Sequence, residues 1–268
     1  MIPILAFLLS LLACMYILYR YEYLFEPNLR ERLVNLIGRY QALRVYEKPQ
    51  HLEHRKEPAH YKVLLSEIFK KGEAESLCQL MKVFILRSNV RFDRIVGILM
   101  KERADLFAAD VEFKLSREGY HIAPILASML KKPYTLLYEA KDEETGKLYF
   151  LYEGELPENE TTVIIDDVLT TGESIANAVS YLRGLNRAIK VSEAFVFVSR
   201  ARPEELAVLS SLDVRVHAMI DRRDLVDRLY ARRYLNRDDF RLAYLDADLR
   251  DGHGGGEQSV LRLPRRGV

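Results

Sequence analysis

Val163-Ile164-Ile165-Asp166-Asp167-Val168-Leu169-Thr170-Thr171-Gly172-Glu173-Ser174 is the stretch on which the reading of this chain turns. Residues Thr162–Ile165 are β-branched and largely apolar, the mark of a short buried strand. Two carboxylates stand at its carboxyl end, and a hydroxyl-rich turn then leads into a helix that begins at Glu173. In parallel α/β sheets, ligands bind outside the carboxyl ends of the strands. Thr170, Thr171 and Ser174 supply hydroxyls and the helix start supplies backbone N–H groups, a combination suited to a phosphate. Gly172 permits close backbone approach. Adjacent carboxylates beside such a cradle suit a ribose diol and a magnesium-bound polyphosphate. The plainer alternative is a strand–turn–helix junction in which Asp and Thr act only as caps.

Working outward, apolar strands alternate with helical patterns. A helical stretch covers roughly 73–90, and Arg94–Leu99 reads as a buried strand. Residues 121–130 form an apolar helix before Lys131-Lys132-Pro133. Tyr134–Tyr138 and Leu148–Tyr152 read as strands joined by a polar loop containing Gly146. Val191–Val198 and Val214–Met219 are further strands, with a helix from Pro203 between them, and residues 221–247 are charge-rich and helical. The alternation predicts an α/β fold with a mostly parallel sheet. Upstream, Leu29, Leu33, Leu36, Ile37 and Tyr40 predict a helix over 27–47, and the charged, two-proline stretch 48–60 predicts a linker. His51, His54 and His60 lie in that stretch with no companion ligands, as solvated histidines do. The expected organisation is a membrane helix in 1–25, a juxtamembrane helix and linker in 26–60, a domain in 61–235, and a helical extension with a disordered tail in 236–268.

Composition narrows the function classes. The chain has 268 residues, 49% hydrophobic and 29% charged, enough apolar material for a sizeable core. Lys and Arg number 40 against 39 Asp and Glu, so no basic excess exists to hold nucleic acid by its phosphates, and no nucleic-acid partner is expected. Two cysteines, Cys14 and Cys78, make neither a disulfide framework nor a four-cysteine zinc site. The run Arg222–Arg233 is interspersed with Asp224 and Asp227, the pattern of a solvated helix face.

Ile2–Tyr19 contains no charged residue. At 1.5 Å per residue, roughly 18 residues give about 27 Å of helix, close to the ~30 Å hydrocarbon core. Tyr16, Tyr19, Tyr21, Tyr23 and Phe25 form an aromatic border, and Arg20, Arg30 and Arg32 follow. This predicts a single membrane-spanning helix over residues 2–19 with the bulk of the chain on the cytoplasmic side. A cleaved signal peptide, a lipoprotein box at Leu11–Cys14 and a buried soluble helix are the competing readings.

The Val163–Ser174 segment also resembles a Walker B strand, but no G-x-x-x-x-G-K-[ST] loop accompanies it anywhere in the chain. It closely resembles the loop that binds phosphoribosyl pyrophosphate (PRPP) in type I phosphoribosyltransferases. By that resemblance Asp166 and Asp167 hold the ribose hydroxyls, Thr170, Thr171, Gly172, Glu173 and Ser174 wrap the 5′-phosphate, and Val168 and Leu169 complete the PRPP-binding run. Glu139-Ala140-Lys141-Asp142 with Thr145-Gly146-Lys147 resembles the mobile catalytic loop of orotate phosphoribosyltransferases, Gly154-Glu155-Leu156 resembles the strand exit, and His121–Ala127 resembles the helix after the pyrophosphate loop. Residues 61–230 are covered.

The resemblance implies the type I phosphoribosyltransferase fold, magnesium bound through PRPP, a nitrogenous base as acceptor with orotate the first expectation, and a homodimer. Lys141, Asp166 and Asp167 are the expected catalytic residues. Leu137, Tyr138 and Glu143 stand where the family has Arg, Lys and His, so only Lys141 remains of the loop's cations. Losing one preorganised charge lowers a rate by roughly 10²–10³. A charged insert, Met100–Glu118, carries Lys101, Arg103, Lys114 and Arg117 where the pyrophosphate loop is expected. The second expectation is therefore a membrane-tethered, non-catalytic sensor of PRPP or a nucleotide, and a third is a salvage transferase for another base.

Overall fold

The computed structural model describes residues 28–50, 59–99, 122–141, 148–185 and 187–248. The membrane helix expected over 2–19, the 100–118 insert, Glu143 and the tail from Asp251 lie outside the described residues. Among the described residues no helix is long and apolar enough to cross a membrane.

The centre is a six-stranded sheet. Its strands are β3 (Arg94–Leu99), β4 (Tyr134–Lys141), β5 (Leu148–Gly154), β6 (Thr161–Leu169), β7 (Lys190–Ser199) and β8 (Arg215–Asp221), in spatial order β5-β4-β3-β6-β7-β8. β3 pairs in parallel with β4 and β6, as do β6 with β7 and β7 with β8, while β5 returns antiparallel to β4. The expected mostly parallel α/β architecture is found. Both faces of the sheet are covered, so the central strands are apolar on both sides: Val163 and Ile165 enter one core while Ile164 enters the other.

The larger core is built from α1 (Leu29–Arg39), α2 (Ser66–Lys70), α3 (Ala74–Ser88), α4 (Ile122–Leu130), α7 (Arg222–Ala231) and α8 (Arg237–Asp248). The smaller lies under α5 (Glu173–Gly184) and α6 (Pro203–Ser211). Gly97 in β3 has a packing reason: a Cβ there would stand 2.6 Å from the Ala123 Cβ, so only glycine lets α4 press this closely on the sheet.

Several sequence-based boundaries move. The helix expected over 27–47 ends at Arg39, where Gln41 takes a left-handed φ of 50° and Ala42 N–H bonds the Ile37 carbonyl. The helical period of Leu29, Leu33 and Ile37 has run out by then, and Leu43–Gln50 instead forms β1, paired antiparallel with β2 (Ala59–Val63). The expected linker 48–60 therefore contains strand at both ends, and the ring Nδ1 of His60 sits 3.2 Å from the Tyr46 carbonyl across the hairpin. α1, expected to lie outside the domain of residues 61–235, buries Leu29, Leu33, Val34 and Ile37 in the domain's own core, and α8 buries Phe240 and Ala243 there. The Arg222–Arg233 run is not simply a solvated face: Leu225, Val226 and Leu229 are buried, and Arg228 and Arg232 pair with Glu31 of α1.

Candidate functional site

Every parallel strand delivers its carboxyl end to one edge of the sheet. β6 runs further than its apolar run suggests, because its backbone stays in register with β7 to Leu169 opposite Ser199. Asp166 and Asp167 therefore lie inside the strand, not beyond it. Asp166 is half-buried; its Oδ1 accepts from the Asp167 N–H at 2.8 Å, and the Asp167 Oδ1 accepts from the Val168 N–H at 2.6 Å. Burial pushes the Asp166 carboxyl up to about 6, against the downward pull of the Asp167 N–H. At neutral pH it is an anion only partly compensated by the protein.

The turn after β6 is held from three sides. The Leu169 side chain is buried in the smaller core, and its carbonyl accepts from the Arg200 N–H at 2.7 Å. Thr171 Oγ1 accepts from the Glu173 N–H at 3.4 Å, and Gly172 is the N-cap of α5 with φ of 77°. The left-handed φ of Gly172 favours glycine, and a Cβ there would lie 3.0 Å from the Leu209 Cδ1 and push on α6. Gly172 offers no side-chain cap to the helix, and Ala176 N–H already bonds the Gly172 carbonyl. Thr170, Thr171 and Ser174 are half-buried around this helix start. The result is a cradle of hydroxyls and helix N–H groups beside two carboxylates, donor and acceptor types that suit a phosphate.

The structure thus brings Asp166, Asp167 and the 168–174 turn together on one edge. Lys141 is the last residue of β4, paired with Leu148, on the same edge but separated from β6 by β3. Leu137 is fully buried in the smaller core. Tyr138 is 2% exposed and donates to Glu153 Oε2 at 2.8 Å; burial first, and then this hydrogen bond, raises its phenol. Glu139 Oε1 accepts from Asn177 Nδ2 at 3.1 Å. Among the described residues no three His, Cys, Asp or Glu side chains gather as a metal cage. Hard oxygen donors are present as the Asp166–Asp167 pair, which fits magnesium held mainly by ligand phosphates and water.

Two arginines at the same edge escaped the sequence reading. Arg200 is 1% exposed, lies 4.1 Å over the Tyr61 ring and donates to the Tyr61 carbonyl at 2.8 Å, docking β2 against the end of β7. Arg202 caps α6, its N–H donating to Glu205 Oε2 at 2.6 Å. The signal was available: an apolar strand, Val191–Val198, runs directly into Ser199-Arg200-Ala201-Arg202 at a carboxyl end. Cys78, by contrast, is buried in the larger core, and burial pushes its thiol up to about 12, as an inert core residue behaves.

Residues 115–222 match the family described as phosphoribosyl transferase domain. The chain is 32% identical over 133 residues to an orotate phosphoribosyltransferase of Pyrobaculum islandicum, an alignment covering 49% of this chain and 65% of that protein, just short of two thirds of its length. Among solved structures, Leishmania donovani UMP synthase is similar with a TM-score of 0.60 and 18% identity over 81% of this chain and 42% of that one. Orotate phosphoribosyltransferase from Aeropyrum pernix is similar with a TM-score of 0.54 and 22% identity over 74% and 98%. These two are likenesses of fold. Residues 115–222 are thus similar to a phosphoribosyl transferase domain, and the chain is similar in sequence to orotate phosphoribosyltransferases.

Proposed function

We propose that this protein binds PRPP at the carboxyl end of β6 and transfers its ribose 5-phosphate to a nitrogenous base, with orotate the first candidate. The observation that carries the reading is the continuous run from the Asp166–Asp167 pair through the Thr170–Thr171 hydroxyls to Gly172 at the start of α5. In this reading the cradle of residues 168–174 fixes the 5′-phosphate, and ionised Asp166 and Asp167 accept hydrogen bonds from the ribose hydroxyls. A ring nitrogen of the base bonds to C1 of the ribose, the C1–O bond to pyrophosphate breaks with its electron pair leaving on pyrophosphate, and the displaced N–H proton passes to solvent. Magnesium supplies charge neutralisation of the pyrophosphate when bound with PRPP. Lys141 assists that departure from the end of β4. The homodimer and the membrane anchor at residues 2–19, with the remainder cytoplasmic, belong to the same reading.

A second reading, a non-catalytic sensor of PRPP or a nucleotide, is favoured by one observation. The Leu137 and Tyr138 positions, which carry cations in the family that the sequence resembles, are engaged in the core and in a bond to Glu153.

Titration of magnesium–PRPP into the full chain in lipid vesicles, followed by assay of pyrophosphate release with orotate and other bases, separates the two. Base-dependent release identifies a transferase and its acceptor; binding without release for any base identifies the sensor; absence of binding sinks both. Flotation with the same vesicles tests the anchor, which fails if a chain starting at residue 26 partitions as strongly as the full chain.

A further inference from the structure

The cradle occupies the carboxyl edge of the sheet, and a second concavity opens on the amino edge. A cavity of about 600 Å³ lies where α3 and α4 end and β3 and β6 begin. That volume is in the range of small-molecule sites. Two helix exits line it. After α3 ends at Ser88, Asn89 takes a left-handed φ of 59°; after α4 ends at Leu130, Lys131 takes one of 53°. Each turn redirects the chain into its strand, β3 or β4, and the space between the two exits is the cavity. One wall is fixed by reciprocal bonds: the Asp93 N–H donates to the Thr161 carbonyl at 2.8 Å, and the Thr161 N–H donates to Asp93 Oδ2 at 3.0 Å. Thr161 is the first residue of β6 and Asp167 lies six residues further along, so cavity and cradle sit roughly 20 Å apart at opposite ends of one strand.

The lining combines apolar surface with cationic donors. Leu86, on the last turn of α3, is 47% exposed, and Val90 and Leu130 are half-buried. Apolar surface in a concavity gains by covering an apolar ligand. Arg91 is exposed and makes no ion pair among the described residues. Lys132 carries its Nζ 5.5 Å from the centre of the Phe92 ring, which holds the ammonium at the cavity. Asp93 is the acid of the lining, and its Oδ2 is taken by the Thr161 N–H. Carbonyls at the two helix ends are taken as well: that of Ile85 accepts from Ser88 Oγ at 2.7 Å and that of Ala127 from the Lys132 N–H at 3.0 Å. The cavity therefore offers a ligand positive donors over apolar surface, and its own acceptors are engaged. We propose that this cavity is a second binding site, whose ligand is a small carboxylate with an apolar body. The carboxylate lies between the Arg91 guanidinium and the Lys132 ammonium, and the body rests on Leu86, Val90 and Leu130. The proposal is independent of the phosphate reading of the cradle.

The test is methyl NMR of the full chain in lipid nanodiscs, titrated with 2-naphthoate and, separately, with the neutral 2-naphthamide. The acid shifts the methyls of Leu86, Val90 and Leu130 saturably, with a Kd of about 1 mM or tighter for a ligand of this size, and leaves the Ile175 methyls at the head of α5 in place. The amide keeps the ring and loses the charge, so it binds at least about tenfold more weakly, the loss expected for one charge-assisted hydrogen bond. Arg91→Glu combined with Lys132→Glu weakens the acid by at least the same factor, brings acid and amide close together, and leaves the melting temperature unchanged. Leu86→Gln weakens both ligands. The site is overturned if the acid gives no saturable shift at Leu86, Val90 and Leu130, if it moves Ile175 instead, or if acid and amide bind equally to the unmodified chain. It is overturned equally if the double charge reversal binds the acid as the unmodified chain does. Should the double variant fold poorly, the comparison of acid with amide on the unmodified chain decides the question by itself.

Discussion

The carboxyl ends of β4 and β6 lie on one edge of one sheet, yet their side chains are used in opposite ways. At β6, Asp166 and Asp167 each accept from the next backbone N–H along the chain, and the turn that follows presents half-buried hydroxyls at a helix start. At β4, Leu137 fills the core, Tyr138 is bonded to Glu153 and Glu139 to Asn177. A strand's carboxyl end is thus a place where a site can form, and whether it does depends on what its side chains already touch. The strand at β6 is followed by a loop and a helix N-terminus, which leave backbone donors in need of acceptors. The strand at β4 is followed by a hairpin whose partner strand satisfies its backbone and offers Glu153 to its side chains.

The comparison can be broken most forcefully at β4. Leu137→Arg places a cation where the resembled family carries one, but Leu137 is fully buried in an apolar core. We expect a loss of about 4 kcal/mol or more, the cost of an unpaired buried charge, read by urea denaturation. A variant that stays as stable as the parent and releases pyrophosphate faster would show that β4 is a latent site.

A smaller and opposite effect is expected at β6. The folded-state carboxyl of Asp166 lies at about 6, above its unfolded value, so the native chain binds the extra proton between the two. Stability therefore falls as pH rises from about 4 to about 6 and levels off above that. Asp166→Asn removes this slope and stabilises the fold by about 1–3 kcal/mol at neutral pH, while weakening magnesium–PRPP binding. Thermal melts of parent and variant across pH 4 to 8 check the sign; parallel curves would show that the carboxylate is solvated and not held at a cost. The same titration makes PRPP affinity of the parent decline as pH drops through about 6.

The mildest change sharpens the contrast. Tyr138→Phe keeps the ring in the core and deletes the hydroxyl that donates to Glu153. It should destabilise by about 1 kcal/mol and leave PRPP affinity unchanged in calorimetry. A clear change in affinity would place Tyr138 in the ligand site after all.

Much of the fold was legible because burial on both faces leaves long apolar runs. Val191–Val198 and Arg94–Leu99 read as strands from composition alone and are strands in the structure. The helix starting at Glu173 was legible from the turn before it, since Gly172 and the hydroxyls around it have a local meaning. The β1–β2 hairpin was not legible. Leu43–Gln50 is mostly exposed, has no clean alternation and carries Pro49, so nothing local distinguishes it from a linker. It is a strand because Ala59–Val63 pairs with it and Arg200 fastens Tyr61 to the sheet. The β6 boundary failed for a similar reason: Asp166 and Asp167 have low strand propensity, and register with β7 overrides it.

By itself, then, the sequence determined the alternating strands and helices, the cradle of residues 166–174 and the shortage of cations on β4, because each is written in neighbouring residues. Tertiary structure alone decided which strands are neighbours, how far β6 extends, that α1 and α8 share the domain's core, and that Glu139 meets Asn177 across β3. Those are contacts between residues far apart in the chain, and no local period or propensity encodes the partner a buried or half-buried group will find.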